Sequence, residues 1–201
     1  VVKSSQKKLL ALDFSPRKRS NSSRLLDFAL KSAIAEGIGI LRYKPHEMNI
    51  APCDACETCY DGSPCPKNDD MAEIYPILET ANAVIIATPS YFYGVPAPAK
   101  ALIDRCQLFW ARKYILAETL PSRPAGVIEV AGSGGQRVFE GINLTIKYFL
   151  DSISIDMPEP LAFRHVDCDP KDLPDELLRA SEEYGTRLVS EILKEEKNEN
   201  R

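Results

Sequence analysis

Residues 52–66 place four of the chain's six cysteines in one short run, C-x2-C-x2-C-x5-C-P: Cys53, Cys56, Cys59 and Cys65, followed by Pro66. Three thiols at this spacing can converge on one small object, because a tight turn returns each side chain to the same side. Thiolates repel one another, so such crowding calls for a bound cation or a covalent bridge. Structural zinc takes four cysteines, but its sites usually come as two C-x2-C pairs separated by a long spacer. Disulfides suit a small secreted scaffold, whereas a chain of 201 residues is large enough to bury an ordinary core. Free or redox-active thiols are the remaining reading.

The compact triplet with a Cys-Pro shortly after it resembles the iron–sulfur runs of bacterial ferredoxins. There the fourth cysteine serves a second cluster. With only one group of four present here, the resemblance implies a single [4Fe–4S] cluster held by Cys53, Cys56, Cys59 and Cys65.

A second kind of chemistry is written in three loops. Ser15-Pro16-Arg17-Lys18-Arg19-Ser20-Asn21-Ser22-Ser23 joins an apolar run to a helical pattern. Free N–H groups and the positive end of a helix dipole favour a phosphate at such a junction. Ser15, Asn21, Ser22 and Ser23 add donors, and Arg17 or Lys18 adds charge. The plainer reading is an N-cap at Asn21 or Ser22 with solvated arginines. The loop has neither G-x-x-x-x-G-K-[ST] nor G-x-G-x-x-G, which excludes a triphosphatase P-loop and a dinucleotide fingerprint. Hydroxyls and amides suit a phosphate monoester such as that of FMN. Pro89-Ser90-Tyr91-Phe92-Tyr93-Gly94 brings aromatic side chains and backbone amides that could frame a flat ring, unless the loop merely packs on the core. Ser133, Gly134 and Gly135 lie in a glycine-rich stretch where a ligand can approach the backbone closely, although a flexible turn would look much the same.

These loops must hang on something. Short apolar runs at 9–14, 38–43, 83–87, 124–131 and 160–166 read as strands. Helical patterns fall between and after them. The first carries Leu25, Leu26, Ala29, Ala33 and Ile34; others cover 69–81, 97–113, 138–151 and 175–193, with a charged tail beyond. In the 97–113 helix, Lys100, Asp104 and Arg105 read as surface or helix-end ion pairs, and Cys106 and Trp110 as core. Asp69 and Asp70 read as an acidic first turn complementing a helix dipole. The alternation predicts one α/β domain over 1–201: a flavodoxin-like doubly wound five-stranded parallel sheet, strand order 2-1-3-4-5, with the cysteine loop inserted after the second strand. In that order the three loops cluster at the switch point beside the first and third strands, where this fold binds FMN.

The composition is that of an ordinary globular protein, 44% hydrophobic and 27% charged. A net charge of −4 argues against a nucleic-acid partner. The apolar run at 9–14 is too short for a signal segment or a membrane span, and no longer one follows, so a cytoplasmic protein with no membrane partner is expected.

At this point the chain resembles the iron–sulfur flavoproteins, a branch of the NADPH-dependent FMN reductase superfamily. Ser15-Pro16-Arg17-Lys18 with Asn21-Ser22 is similar to the family's S-P-R-K-x-x-N-T loop, and Pro89-Ser90-Tyr91 to its P-x-Y loop. Lys100-Ala-Leu-Ile-Asp104-Arg105 is similar to its K-a-x-i-D-R helix, and Asp69-Asp70-Met71 to the D-D-M after its cysteines. The similarity covers residues 9–136. Phe14 stands where the family usually has Gly, Ser20 replaces a common Gly and Ser22 a common Thr. The resemblance implies homodimers or homotetramers, and a ferredoxin-like or NAD(P)H electron donor. It implies electron transfer from cluster to FMN and on to a small acceptor, with dioxygen and peroxide among those suggested. The cofactors carry such chemistry, so no side chain is assigned as a catalytic acid or base. An NAD(P)H-dependent FMN or quinone reductase without a cluster, and a zinc-stabilised binding module without enzymatic activity, are the alternatives.

Overall fold

Five apolar runs pair side by side as a wholly parallel sheet in the order β2-β1-β3-β4-β5. They are β1 (Lys8–Asp13), β2 (Gly39–Tyr43), β3 (Ala83–Pro89), β4 (Ala125–Val130) and β5 (Leu161–Phe163). The molecule is seen in a computed structural model that describes residues 6–199, with side chains as far as residue 194. Helices α1 (Asn21–Ala29), α2 (Lys31–Ala35), α3 (Met71–Thr80), α4 (Ala97–Arg105), α5 (Gln107–Tyr114), α6 (Glu140–Ser152) and α7 (Asp175–Glu199) cover the two faces.

The central strands are apolar on both sides because both sides are covered. Leu10, Leu12, Val84, Ile86 and Val127 face a layer built from α3, α4, α5 and α6. Leu9, Ala11, Ile85, Ile128 and Val130 face α1, α2 and α7. α7 lies close against α1 at Gly185, where a Cβ would stand 1.8 Å from the Ala29 carbonyl oxygen. β5 begins its pairing only opposite Ile128, which leaves the Val127 N–H without a ladder partner. Tyr184 satisfies it: its hydroxyl accepts from Val127 N–H at 2.9 Å and donates to the Glu159 carbonyl at 3.0 Å.

The strand order and the cysteine insertion after β2 are those expected from the sequence. Several boundaries differ. The first helical pattern parts at Leu30 into α1 and α2. The run expected as one helix over 97–113 is two, because Cys106 leaves helical geometry (φ −74°, ψ 6°) and its N–H closes a tight turn to the Ile103 carbonyl at 3.0 Å. β5 is shorter than expected, since His165 adopts a left-handed conformation (φ 58°) that turns the chain out of the ladder. The charged stretch after residue 193, expected as a tail, continues α7 to Glu199; the last two residues lie outside the described ones.

Candidate functional site

The cysteine loop is closed at its own base. Asn49 N–H donates to Asp70 Oδ2 at 2.7 Å, and Asp70 N–H returns to the Asn49 carbonyl at 3.1 Å. Ala51 N–H donates to Asp69 Oδ2 at 3.0 Å, and Arg105 Nη1 donates both to the Ala51 carbonyl at 2.9 Å and to Asp69 Oδ2. Asp69 and Asp70 therefore act chiefly as a clasp. α3 starts only at Met71, and Asp70 makes no side-chain cap bond.

Within the loop, Ala55 (φ 55°) and Glu57 (φ 59°) lie in the left-handed region, and Gly62 (φ 88°) follows the short turn Thr58–Asp61. Left-handed backbone costs a non-glycine residue about 1–2 kcal/mol, and such strain concentrates where a site over-determines the chain. Here it wraps Cys53, Cys56, Cys59 and Cys65 round one cavity of about 370 Å³, which Lys67 and Arg105 also line. Burial, and then the charges of the other three cysteines, push the Cys59 thiol up, so thiolates at this place need a compensating cation. Among the described residues no three Cys, His, Asp or Glu side chains stand close enough to grip a single ion.

The other predicted residues gather at the carboxyl edge of the sheet. Ser20 (φ −144°, ψ 155°) is the N-cap of α1, its Oγ accepting from Ser23 N–H at 3.0 Å, in place of the expected Asn21 or Ser22. The physical reason is local: only Ser20 has the extended backbone that a cap requires. Ser15, Ser22 and Ser23 are buried. Ser15 and Ser23 both bond the buried Asp13, through Ser15 N–H at 3.3 Å and Ser23 Oγ at 2.9 Å. Arg42 Nη2 reaches the other Asp13 oxygen at 2.7 Å. Arg17 and Lys18 stay exposed beside the first N–H groups of α1, which have no carbonyl a turn earlier to bond. Asn21 turns sideways, donating from Nδ2 to the Cys168 carbonyl at 3.1 Å. That bond ties the loop after β1 to the loops after β4 and β5, because Val166 N–H donates to the Ala131 carbonyl at 3.0 Å.

After β3 the chain makes a two-residue reversal. Tyr91 and Gly94 exchange N–H···O bonds of 2.9 Å each, with Phe92 (φ 49°) and Tyr93 (φ 63°) at its tip. Two positive φ angles make a primed turn, which glycine or asparagine normally fills. Phe92 is fully exposed and Tyr93 half so. Pro89 closes β3, and Ser90 is held by its N–H to the Val130 carbonyl (2.8 Å) and its Oγ to the Val138 carbonyl (3.2 Å). A Cβ on Gly141 would stand 2.4 Å from the Tyr93 carbonyl, and one on Gly135 would stand 2.8 Å from its hydroxyl. Gly134 lies just as tightly against His165, at 2.0 Å, while Ser133 is exposed. The loops after β1, β3 and β4 thus meet along one edge.

Four residues escaped sequence reasoning in whole or in part. Asp13 ends β1 as a fully buried carboxylate; its position before the serine loop was its only signal. Arg105 makes the expected helix-end ion pair, with Asp69, but is buried; Lys100 and Asp104 pair on the surface at 2.6 Å. Trp110 is partly exposed instead of core, whereas Cys106 is buried. Glu129 on β4 is fully buried beside Thr88 of β3, and both of its oxygens lack a hydrogen-bond partner. Burial pushes its carboxyl up to about 7, with Arg164 pulling the other way. Nothing in an apolar strand pattern announces such a group.

A wholly parallel five-stranded sheet in the order 2-1-3-4-5, covered by helices on both faces, defines the flavodoxin-like class. Within it, the chain belongs to the NADPH-dependent FMN reductase family, which it matches over residues 7–159. It is 34% identical over 131 residues to an iron-sulfur flavoprotein of Methanosarcina thermophila, covering 64% of this chain and 66% of that one. It is 38% identical over 91 residues to an iron-sulfur flavoprotein of Archaeoglobus fulgidus, covering 45% and 41%. The chain therefore spans between about two fifths and two thirds of these curated relatives. Among solved structures, an NAD(P)H:quinone oxidoreductase from Methanothermobacter marburgensis superposes with a TM-score of 0.73 at 17% identity, covering 92% of this chain and 96% of that one.

Proposed function

We propose that this protein is an electron-transfer flavoprotein that holds FMN at the carboxyl edge of its sheet and a [4Fe–4S] cluster in its cysteine loop. The observation that carries the reading is that Cys53, Cys56, Cys59 and Cys65 line one cavity. Structural zinc usually takes two C-x2-C pairs separated by a long spacer, whereas this run is compact and ends in Cys-Pro. The names of the curated relatives agree with this choice. When bound, the cluster supplies one-electron transfer and the flavin one- or two-electron transfer.

The chain's own part is to hold and space the two groups. Arg17, Lys18, Ser22 and the first amides of α1 take the phosphate. The reversal at 91–94, with Pro89, Ser90, Ser133, Gly134 and Gly135, frames the ring system. α4 starts directly after the ring loop and ends at Arg105 in the wall of the cysteine cavity. Its nine residues make a helix about 13 Å long at 1.5 Å per residue, linking the ring loop to the wall of the cysteine cavity. A ferredoxin-like or NAD(P)H donor feeds the pair, and a small acceptor drains it. The protein works in the cytoplasm as a homodimer or homotetramer. Exposed Trp110, Tyr114, Leu144 and Tyr148 on α5 and α6 support an assembly.

The test is an absorbance spectrum with iron, sulfide and zinc analysis on anaerobically purified protein. The expected result is flavin bands over a broad shoulder near roughly 400 nm, with about four irons per chain. Flavin without iron would transfer the assignment to an NAD(P)H-dependent reductase lacking a cluster. Zinc without flavin would end both enzymatic readings.

A further inference from the structure

Arg105 is the largest fully buried side chain in the molecule's described part, with a side-chain exposure of 1%. Its Nη1 is fully engaged in the clasp, bonding the Ala51 carbonyl and Asp69. Its Nε and Nη2 are buried and have no acceptor. Leaving charged donors dry and unpartnered is costly, so a native protein that does so points to a group that completes them. The clasp alone does not account for the choice of residue, because a lysine can pair with Asp69 while burying fewer donors.

The surroundings say which group is missing. Arg105 lines the same cavity as Cys53, Cys56, Cys59 and Cys65. Its charge acts on the Tyr75 hydroxyl, which is committed as a donor to the Arg105 carbonyl at 3.1 Å, and on Cys65. Lys67, the other cation in that wall, is already bound to Asp54 at 2.8 Å. Sulfur carrying negative charge is the acceptor that this cavity would bring to Arg105.

We propose that Arg105 donates its two spare N–H groups to the sulfur atoms at the Cys65 corner of the iron–sulfur cluster, and that this contact raises the cluster's reduction potential. The inference rests on the cluster reading above. Reduction adds negative charge to the cluster, and donors aimed at its sulfurs stabilise the reduced form more than the oxidised one. Arg105 is thus a positioning residue with two duties: Nη1 shuts the loop, while Nε and Nη2 tune what the loop holds.

The test uses protein in which only the arginine guanidinium nitrogens carry ¹⁵N. It is reconstituted anaerobically with ferrous iron and sulfide, then reduced for hyperfine spectroscopy. The wild-type cluster should show a ¹⁵N coupling. The same preparation of Arg105→Lys, which retains a cation for Asp69, should lose it. At a fixed potential the variant's ratio of reduced to oxidised cluster should fall about tenfold, equivalent to about 59 mV for a one-electron couple. An iron-replete wild type without the coupling overturns the proposal. So does an iron-replete Arg105→Lys that retains either the coupling or the wild-type ratio. If Arg105→Lys assembles no cluster, Arg112→Lys decides, because Arg112 is the other arginine lining a cavity with Cys59 and Cys65: a coupling that persists there keeps the assignment to Arg105, and one that disappears overturns it. A wild type that takes up no iron and sulfide refutes the cluster reading itself, a result distinct from every other.

Discussion

Glu129 and Arg17 show how much a single side chain can decide. The Glu129 carboxyl is held up to about 7 from an ordinary 4.5, so the folded protein binds more protons than the unfolded chain between those values. Stability therefore falls as pH rises from about 4.5 to 7, and the loss, on the order of 3 kcal/mol, is complete above that window. Glu129→Gln removes the ionisation. Urea denaturation should find it more stable than wild type at pH 8 and close to wild type at pH 5; equal stability at both would return Glu129 to an ordinary partnered acid. Arg17 stands exposed beside the serine loop. Arg17→Ala should weaken FMN by roughly 1–3 kcal/mol, the worth of a charge-assisted bond to phosphate. Flavin-fluorescence titration measures this, and an unchanged dissociation constant would assign Arg17 to the solvated surface.

Between elements, the decisive contacts are made where a side chain is missing. α7 lies so close to α1 at Gly185 that any Cβ would collide with the Ala29 backbone. Gly185→Ala must drive the two helices apart, at a cost of about 1–3 kcal/mol or more. A lowered denaturation midpoint with an unchanged slope is the expected signature. An unperturbed midpoint would mean that α7 shifts freely along the sheet. The cysteine loop is an element of the same kind, a closed loop whose ends are fastened by Asp69, Asp70 and Arg105 instead of by strand pairing. Its shape is consequently independent of the sheet register that positions the other three loops.

At the scale of the whole molecule that independence becomes a prediction. The cysteine loop is fastened at its own base by Asp69, Asp70 and Arg105, so losing one group should leave the other in place. Cys56→Ala should abolish iron and sulfide incorporation while FMN content stays at the wild-type level. A parallel fall in flavin would show that the loop and the sheet edge fold as one unit. The exposed aromatic tip at Phe92 belongs to this scale too. A large side chain held at positive φ and pointed wholly into solvent is costly in an isolated chain, and it sits where the ring loop meets whatever approaches the sheet edge.

Much of this was legible from residue order alone. The parallel sheet, its strand order and the three loops follow from apolar runs alternating with helical patterns, because periodicity is a local property of the chain. The cysteine spacing likewise picked out, without any knowledge of the fold, the four side chains that line one cavity. Tertiary structure decided what local pattern cannot carry. Arg105 sits on a helix whose periodicity says only which positions share a face, and its burial depends on a loop held at Ala51, 54 residues earlier in the chain. Ser20 rather than Asn21 caps α1 because the backbone turns one residue sooner than composition suggests. Asp13 and Glu129 look like interruptions in apolar strands until neighbouring strands and helices close over them. Burial is a property of the assembled layers, and it alone turns a carboxylate or a guanidinium in the sequence into a group with unspent chemistry.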